Sequence, residues 1–124
     1  MTQPLALVLY EKLLPGSQLV NRLQDLKYRV QTVSEAGRLV ECAEQAMPML
    51  VLADLEPKTE EVLAVITRLR QNEGTRHLPV IAFGQEISPD LQVAAKAAGV
   101  TLLVGEAAVL NHLPQMLEQA LQVE

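Results

Sequence analysis

Pro48-Met-Leu-Val-Leu-Ala-Asp54-Leu55 is an apolar run interrupted by a single acid near its end. The run is too short for a helix that must close several turns, and it carries no polar alternation. It therefore reads as a strand covered on both faces, a pattern that belongs to a parallel sheet with helices on either side. A strand of that kind requires neighbours, and the chain supplies four more. Leu5-Ala-Leu-Val-Leu-Tyr10, Pro79-Val-Ile-Ala-Phe83 and Val100-Thr-Leu-Leu-Val104 are similarly apolar. Tyr28-Arg-Val-Gln-Thr-Val33 alternates instead, which suits a half-exposed edge strand.

Helical periods fill the gaps. Leu19, Val20, Leu23 and Leu26 form one stripe, opened by Pro15-Gly16-Ser17. Ala36, Leu39, Val40, Ala43 and Met47 form a second between Ser34 and Pro48. Thr59 is expected to cap a third, carrying Val62, Leu63, Ile66 and Leu69. Ser88-Pro89-Asp90 places a cap, a first-turn proline and an acid in the order that starts a helix, and Gly99 suits its left-handed end. The last helix is expected after Asn111, with Leu113, Met116, Leu117, Ala120 and Leu121 inward and Pro114 in the first turn. Five strand–helix units predict an α/β, flavodoxin-like, doubly wound sheet of five parallel strands in the order 2-1-3-4-5, with five helices, as a single domain over residues 1–124.

Composition narrows the function. Hydrophobic residues make up 49% of the 124, an ordinary globular share. Fifteen acids against ten bases give a net charge of −5, and no cluster of Lys or Arg offsets it, which argues against nucleic acid as a partner. Cys42 is the one cysteine, so neither an internal disulfide nor a cysteine-based zinc site is expected; it reads as a packed side chain, as do Met47, Met49 and Met116. His77 and His112 read as surface or cap residues. The N-terminus has no export signal and no run spans a bilayer, so a cytoplasmic protein without membrane contact is expected. Gly16 and Gly84 are solitary glycines, and no glycine-rich loop follows any strand to cradle a nucleotide.

In such a sheet, ligands lie beyond the carboxyl ends of the strands. Tyr10, Glu11 and Lys12 follow the first strand; Asp54 and Glu56 close the third; Gly84 and Glu106 close the fourth and fifth. Converging carboxylates suit a hard cation such as Mg2+. With these residues in place, the chain resembles the receiver domain of response regulators in two-component phosphorelay signalling. Pro48 to Leu55 is similar to the family's third strand, Arg76-His-Leu-Pro-Val-Ile-Ala82 to its fourth, and Ala94-Ala-Lys-Ala-Ala-Gly99 to its fourth helix.

The resemblance implies that Asp54 holds the phospho-acceptor position, and that Glu11, Asp54 and the Glu56 backbone carbonyl are the candidate Mg2+ ligands. It also implies that several family residues are replaced: one acid of the metal pair by Tyr10, the switch Ser/Thr by Gly84, the switch aromatic by Leu103 and the lysine by Glu106. A phosphoryl group adds charge and three acceptor oxygens that need neutralising. Losing the lysine removes a charge-assisted bond of about 1.5–3 kcal/mol, and Glu106 adds repulsion in its place.

The expectation is a pseudo-receiver: not an enzyme, weak in Mg2+ if it binds it at all, and acting by protein–protein interaction. The partner would be another protein or a histidine kinase, or a second copy meeting through the helix 4–strand 5–helix 5 face, where Val93, Ala97, Leu102, Ala107 and Ala108 are placed. The alternative is an atypical but active receiver phosphorylated on Asp54 by a histidine kinase. A metal-assisted hydrolase using Glu11 and Asp54 is a third reading, for which the sequence supplies no general acid or base.

Overall fold

A computed structural model describes residues 4–10, 13–56 and 58–122. The chain alternates strand and helix as β1 (Leu5–Leu9), α1 (Leu13–Asp25), β2 (Arg29–Val33), α2 (Leu39–Ala46), β3 (Leu50–Asp54), α3 (Thr59–Gln71), β4 (Val80–Gly84), α4 (Pro89–Ala98), β5 (Leu102–Gly105), α5 (Glu106–Asn111) and α6 (Leu113–Gln122). A 3-10 turn, Ala36–Arg38, leads into α2. The strands are parallel in the order β2-β1-β3-β4-β5, the expected doubly wound arrangement.

Strand alternation sorts the core into two layers. Leu7, Leu9, Val51, Ala53, Val80 and Ala82 pack with residues of α2 and α3 and with Ala98 of α4. Ala6, Val8, Leu50, Leu52, Ile81 and Phe83 pack with α1, α5 and α6. All five residues of β3 and of β4 are buried, whereas β2 exposes Arg29, Gln31 and Thr32. The expected alternation holds through Gln31 but fails at the end of the strand, where Thr32 is exposed and Val33 is buried in the core. Among the described residues no helix is long and apolar enough to cross a membrane.

The helices depart from the sequence reading in four places. The expected last helix, after Asn111, is α6, but a short helix that was not expected precedes it: α5 starts directly after β5, and the chain breaks at His112 (φ −125°, ψ 31°). Were α5 and α6 continuous, Pro114 would fall in a helix interior, where the ring clashes and a donor is missing; the break keeps Pro114 in a first turn, as expected. The described structure therefore has six α-helices rather than five. Met47 leaves the α2 stripe because it precedes Pro48, which disfavours helical backbone; it turns left-handed (φ 51°) and is 82% exposed, so it is no core residue. Met49 is also exposed, one residue before β3 begins, whereas Met116 and Cys42 do pack against the core. Thr59 is the first residue of α3 rather than its cap; Lys58 stands at the cap position without a side-chain cap bond, and Glu60 and Glu61 complement the helix dipole. Finally, α1 begins at Leu13, ahead of Pro15.

Other signals hold. The Ser88 hydroxyl accepts the Leu91 N–H at 3.1 Å, and Gly99 ends α4 with φ 99°.

Candidate functional site at the carboxyl edge of the sheet

Register fixes which residues share the rim. Asp54 pairs with Phe83, and Gly84 one step further pairs with Gly105. Leu9 pairs with Ala53, so Tyr10 is level with Asp54 on the neighbouring strand. Glu106 follows Gly105 as the first residue of α5, two strands from Asp54, which is about 10 Å sideways at normal strand spacing. A lysine stem would extend back across that gap further than a glutamate does.

Asp54 is 2% exposed, held at the end of a fully buried strand. Its Oδ1 accepts the backbone N–H of Glu56 at 3.0 Å, a side-chain turn that folds the loop back over the strand end. Leu55 donates its N–H to the Phe83 carbonyl at 2.9 Å, so the loop also stays tied to β4. Glu56 then reaches sideways: its Oε2 accepts the Gln85 N–H at 2.9 Å. A Cβ added at Gly84 would meet that same Oε2 at 3.7 Å, an ordinary contact. Gly84 is thus not imposed by crowding, and its backbone carries no positive φ.

Tyr10 donates its N–H to the Val33 carbonyl at 3.0 Å and packs against the layer formed with α1, α5 and α6. Leu103 points to the opposite layer and lines a surface cavity of about 300 Å3 between α4 and β5, with Gln92, Ala95 and Lys96. Glu11 and Lys12, read from the sequence as rim residues, lie outside the described residues.

The described donors do not by themselves make a magnesium site. They offer the Asp54 carboxylate and the Glu56 carbonyl, while the Glu56 carboxylate is turned to Gln85. Mg2+ demands near-octahedral oxygen coordination, and among the described residues no three of His, Cys, Asp or Glu come together to hold a metal. His77 and His112 are exposed, far from this edge in the fold, and His112 ends α5 by donating its N–H to the Ala108 carbonyl.

Two contacts escaped sequence reasoning. The Glu56 side chain was legible only as a loop acid beside a candidate carbonyl ligand; nothing in the spacing singles out Gln85 as its partner. Arg70 is the other. It donates to the carbonyls of Gly99 (2.8 Å), Arg76 (2.7 Å) and Leu78 (2.6 Å) and to Thr101 Oγ1 (3.1 Å), and burial lowers the pKa of its guanidinium below the usual range. That cluster joins the loops entering β4 and β5, at the edge opposite Asp54.

No protein-family model matches the chain, and no curated protein sequence does either. Solved structures do. A response regulator from Thermotoga maritima superposes with a TM-score of 0.83 at 18% identity, covering 98% of this chain and 99% of that one. A chemotaxis protein of Vibrio cholerae gives 0.86 at 18% identity, covering 96% and 99%. The receiver domain of a sensor histidine kinase from Pseudomonas aeruginosa, solved with magnesium in its active-site cleft, gives 0.86 at 18%, covering 98% and 99%. The chain has the fold of response-regulator receiver domains.

Proposed function

We propose that the chain is a degenerate receiver module of two-component signalling: a cytoplasmic domain that is not an enzyme, binds Mg2+ weakly and works through protein contacts without a phosphorylation cycle. The observation that carries this reading is the rim itself. Asp54 stands buried at the end of β3, yet Gly84 offers no hydroxyl, Glu106 places an acid where a cation would be needed, and Glu56 already occupies the Gln85 donor. A phosphoryl group there would meet like charge with fewer donors to meet its oxygens.

The contact face best supported is α4 with β5 and α5. Val93 is 71% exposed, Ala97 and Ala107 are exposed, and Leu102 and Ala108 are half-buried. A second copy or another signalling protein, a histidine kinase included, is the partner this face suits.

One observation favours the second reading, an atypical active receiver. The Asp54 carboxylate keeps its position at the strand end, opposite Phe83. Incubation with acetyl phosphate and Mg2+, followed by intact mass, decides between the two. The expected outcome is no stable phosphoryl adduct. An adduct that Asp54→Asn abolishes would establish the active receiver instead.

A further inference from the structure

Two linked hydrogen bonds lie on the rim, one within the loop after β3 and one crossing to the loop after β4. The Asp54 carboxylate takes the Glu56 N–H and thereby sets the loop after β3, and that loop carries the Glu56 carboxylate to the Gln85 N–H, 29 residues further along the chain. Gln85 is two residues past Phe83, the strand partner of Asp54, so its N–H is a backbone donor of the adjoining loop on the acid's own rim. The position beside it, Gly84, is open toward the same Glu56 oxygen, 3.7 Å from where a Cβ would be. An anionic oxygen is therefore already seated between the two loops, and bonds to ionised acceptors are the stronger kind.

We propose that Glu56 is a built-in anion for the loop between β4 and α4: its carboxylate holds the Gln85 amide and fixes that loop in one arrangement without any added phosphoryl group. The inference rests on the receiver reading for what the carboxylate replaces, an oxyanion carried on Asp54. Its physical content, a side-chain strap between two loops, is measurable separately. The strap keeps the loop ahead of α4 in a constant state, so the α4 face presents the same surface at all times. It also withholds the Gln85 donor from an external anion.

The test is residue-resolved amide exchange and 15N spectra of the full chain, as wild type, Glu56→Ala, Glu56→Gln and Gly84→Ala. Loss of one such bond is expected to speed Gln85 exchange about tenfold in Glu56→Ala. Glu56→Gln, which keeps a neutral acceptor, is expected to fall between, and Gly84→Ala to match wild type. If Glu56→Ala does not fold, Glu56→Gln carries the test alone. Equal Gln85 exchange in wild type and in the folded Glu56 variants overturns the proposal. Beryllofluoride with Mg2+ is then added to wild type: an unmoved Gln85 resonance is expected, and a shifted one overturns the proposal, because the donor would be open to an outside anion. Acetyl phosphate on the same samples keeps the two readings distinct. An Asp54 adduct defeats the degenerate receiver and leaves the exchange result standing, whereas equal exchange defeats the strap and leaves the receiver reading standing.

Discussion

Tyr28 carries a cost that depends on its proton. It precedes β2, donates its N–H to the Leu23 carbonyl at 3.0 Å and packs against the layer under α1, so burial raises its phenol above the usual 10.0. The folded chain then keeps a proton that the unfolded chain gives up near pH 10. The folded state binds more protons there, so stability falls as pH rises from about 10 toward the raised value. Denaturant unfolding at pH 8 and pH 10.5 should show wild type losing more stability across that interval than Tyr28→Phe, which has no phenol to ionise. Equal losses would mean the phenol is as free in the fold as outside it. The same logic of position over identity governs the rim. Asp54 and Glu56 are both acids of one loop, yet one is turned inward and buried while the other is aimed across to Gln85.

Helix α3 packs on the sheet through Val62, Val65, Ile66 and Leu69, and one side chain near its end also ties it to the loops entering β4 and β5. Arg70 uses its planar fork on three carbonyls and one hydroxyl, and Thr101 in turn accepts the Val80 N–H at 3.0 Å. A lysine keeps the charge but cannot place three nitrogens on four acceptors. Arg70→Lys is therefore expected to cost about 2–3 kcal/mol, read from the urea midpoint. A loss under half that would mean the loops hold their shape without it. Nothing in the sequence marks Arg70, since it sits on a helical period like any solvated arginine and its partners are backbone atoms of distant loops. The strands, by contrast, were legible because burial on both faces leaves continuous apolar runs at Leu50 to Ala53 and Val80 to Phe83. Helix ends were legible where chemistry is local, as at Ser88 and Gly99. They were misread where a proline acts on its neighbour, as at Met47, and the six-residue helix α5 went unread because it is too short to show an apolar period. At the site, the position of Asp54 could be read from its strand, but the Glu56–Gln85 contact depends on how two loops 29 residues apart are folded together.

At the scale of the whole molecule, the two faces of the sheet are covered and its edges are β2, which exposes polar side chains, and β5, which is apolar. β5 is an edge strand, all four of its residues are half-buried, and Leu102, Leu103 and Val104 are apolar. Open apolar edges invite pairing unless something covers or charges them. Beside this edge, α4 presents Val93, 71% exposed, with Ala97 one turn later. An exposed valine contributes little to its own fold, so replacing it separates surface from stability. Val93→Arg is expected to leave the unfolding midpoint within about 0.5 kcal/mol of wild type. If the face joins two copies, wild type sediments above 13.6 kDa as concentration rises, and Val93→Arg stays at 13.6 kDa. Met47→Arg is the control, because Met47 is more exposed still, at 82%, but lies at the end of α2 away from this face. Its association should match wild type. Wild type remaining at 13.6 kDa throughout would remove self-pairing and leave the face to a different protein. Equal association of wild type and Val93→Arg would place the contact elsewhere, since a buried guanidinium without a partner is too costly for a close apolar interface to keep.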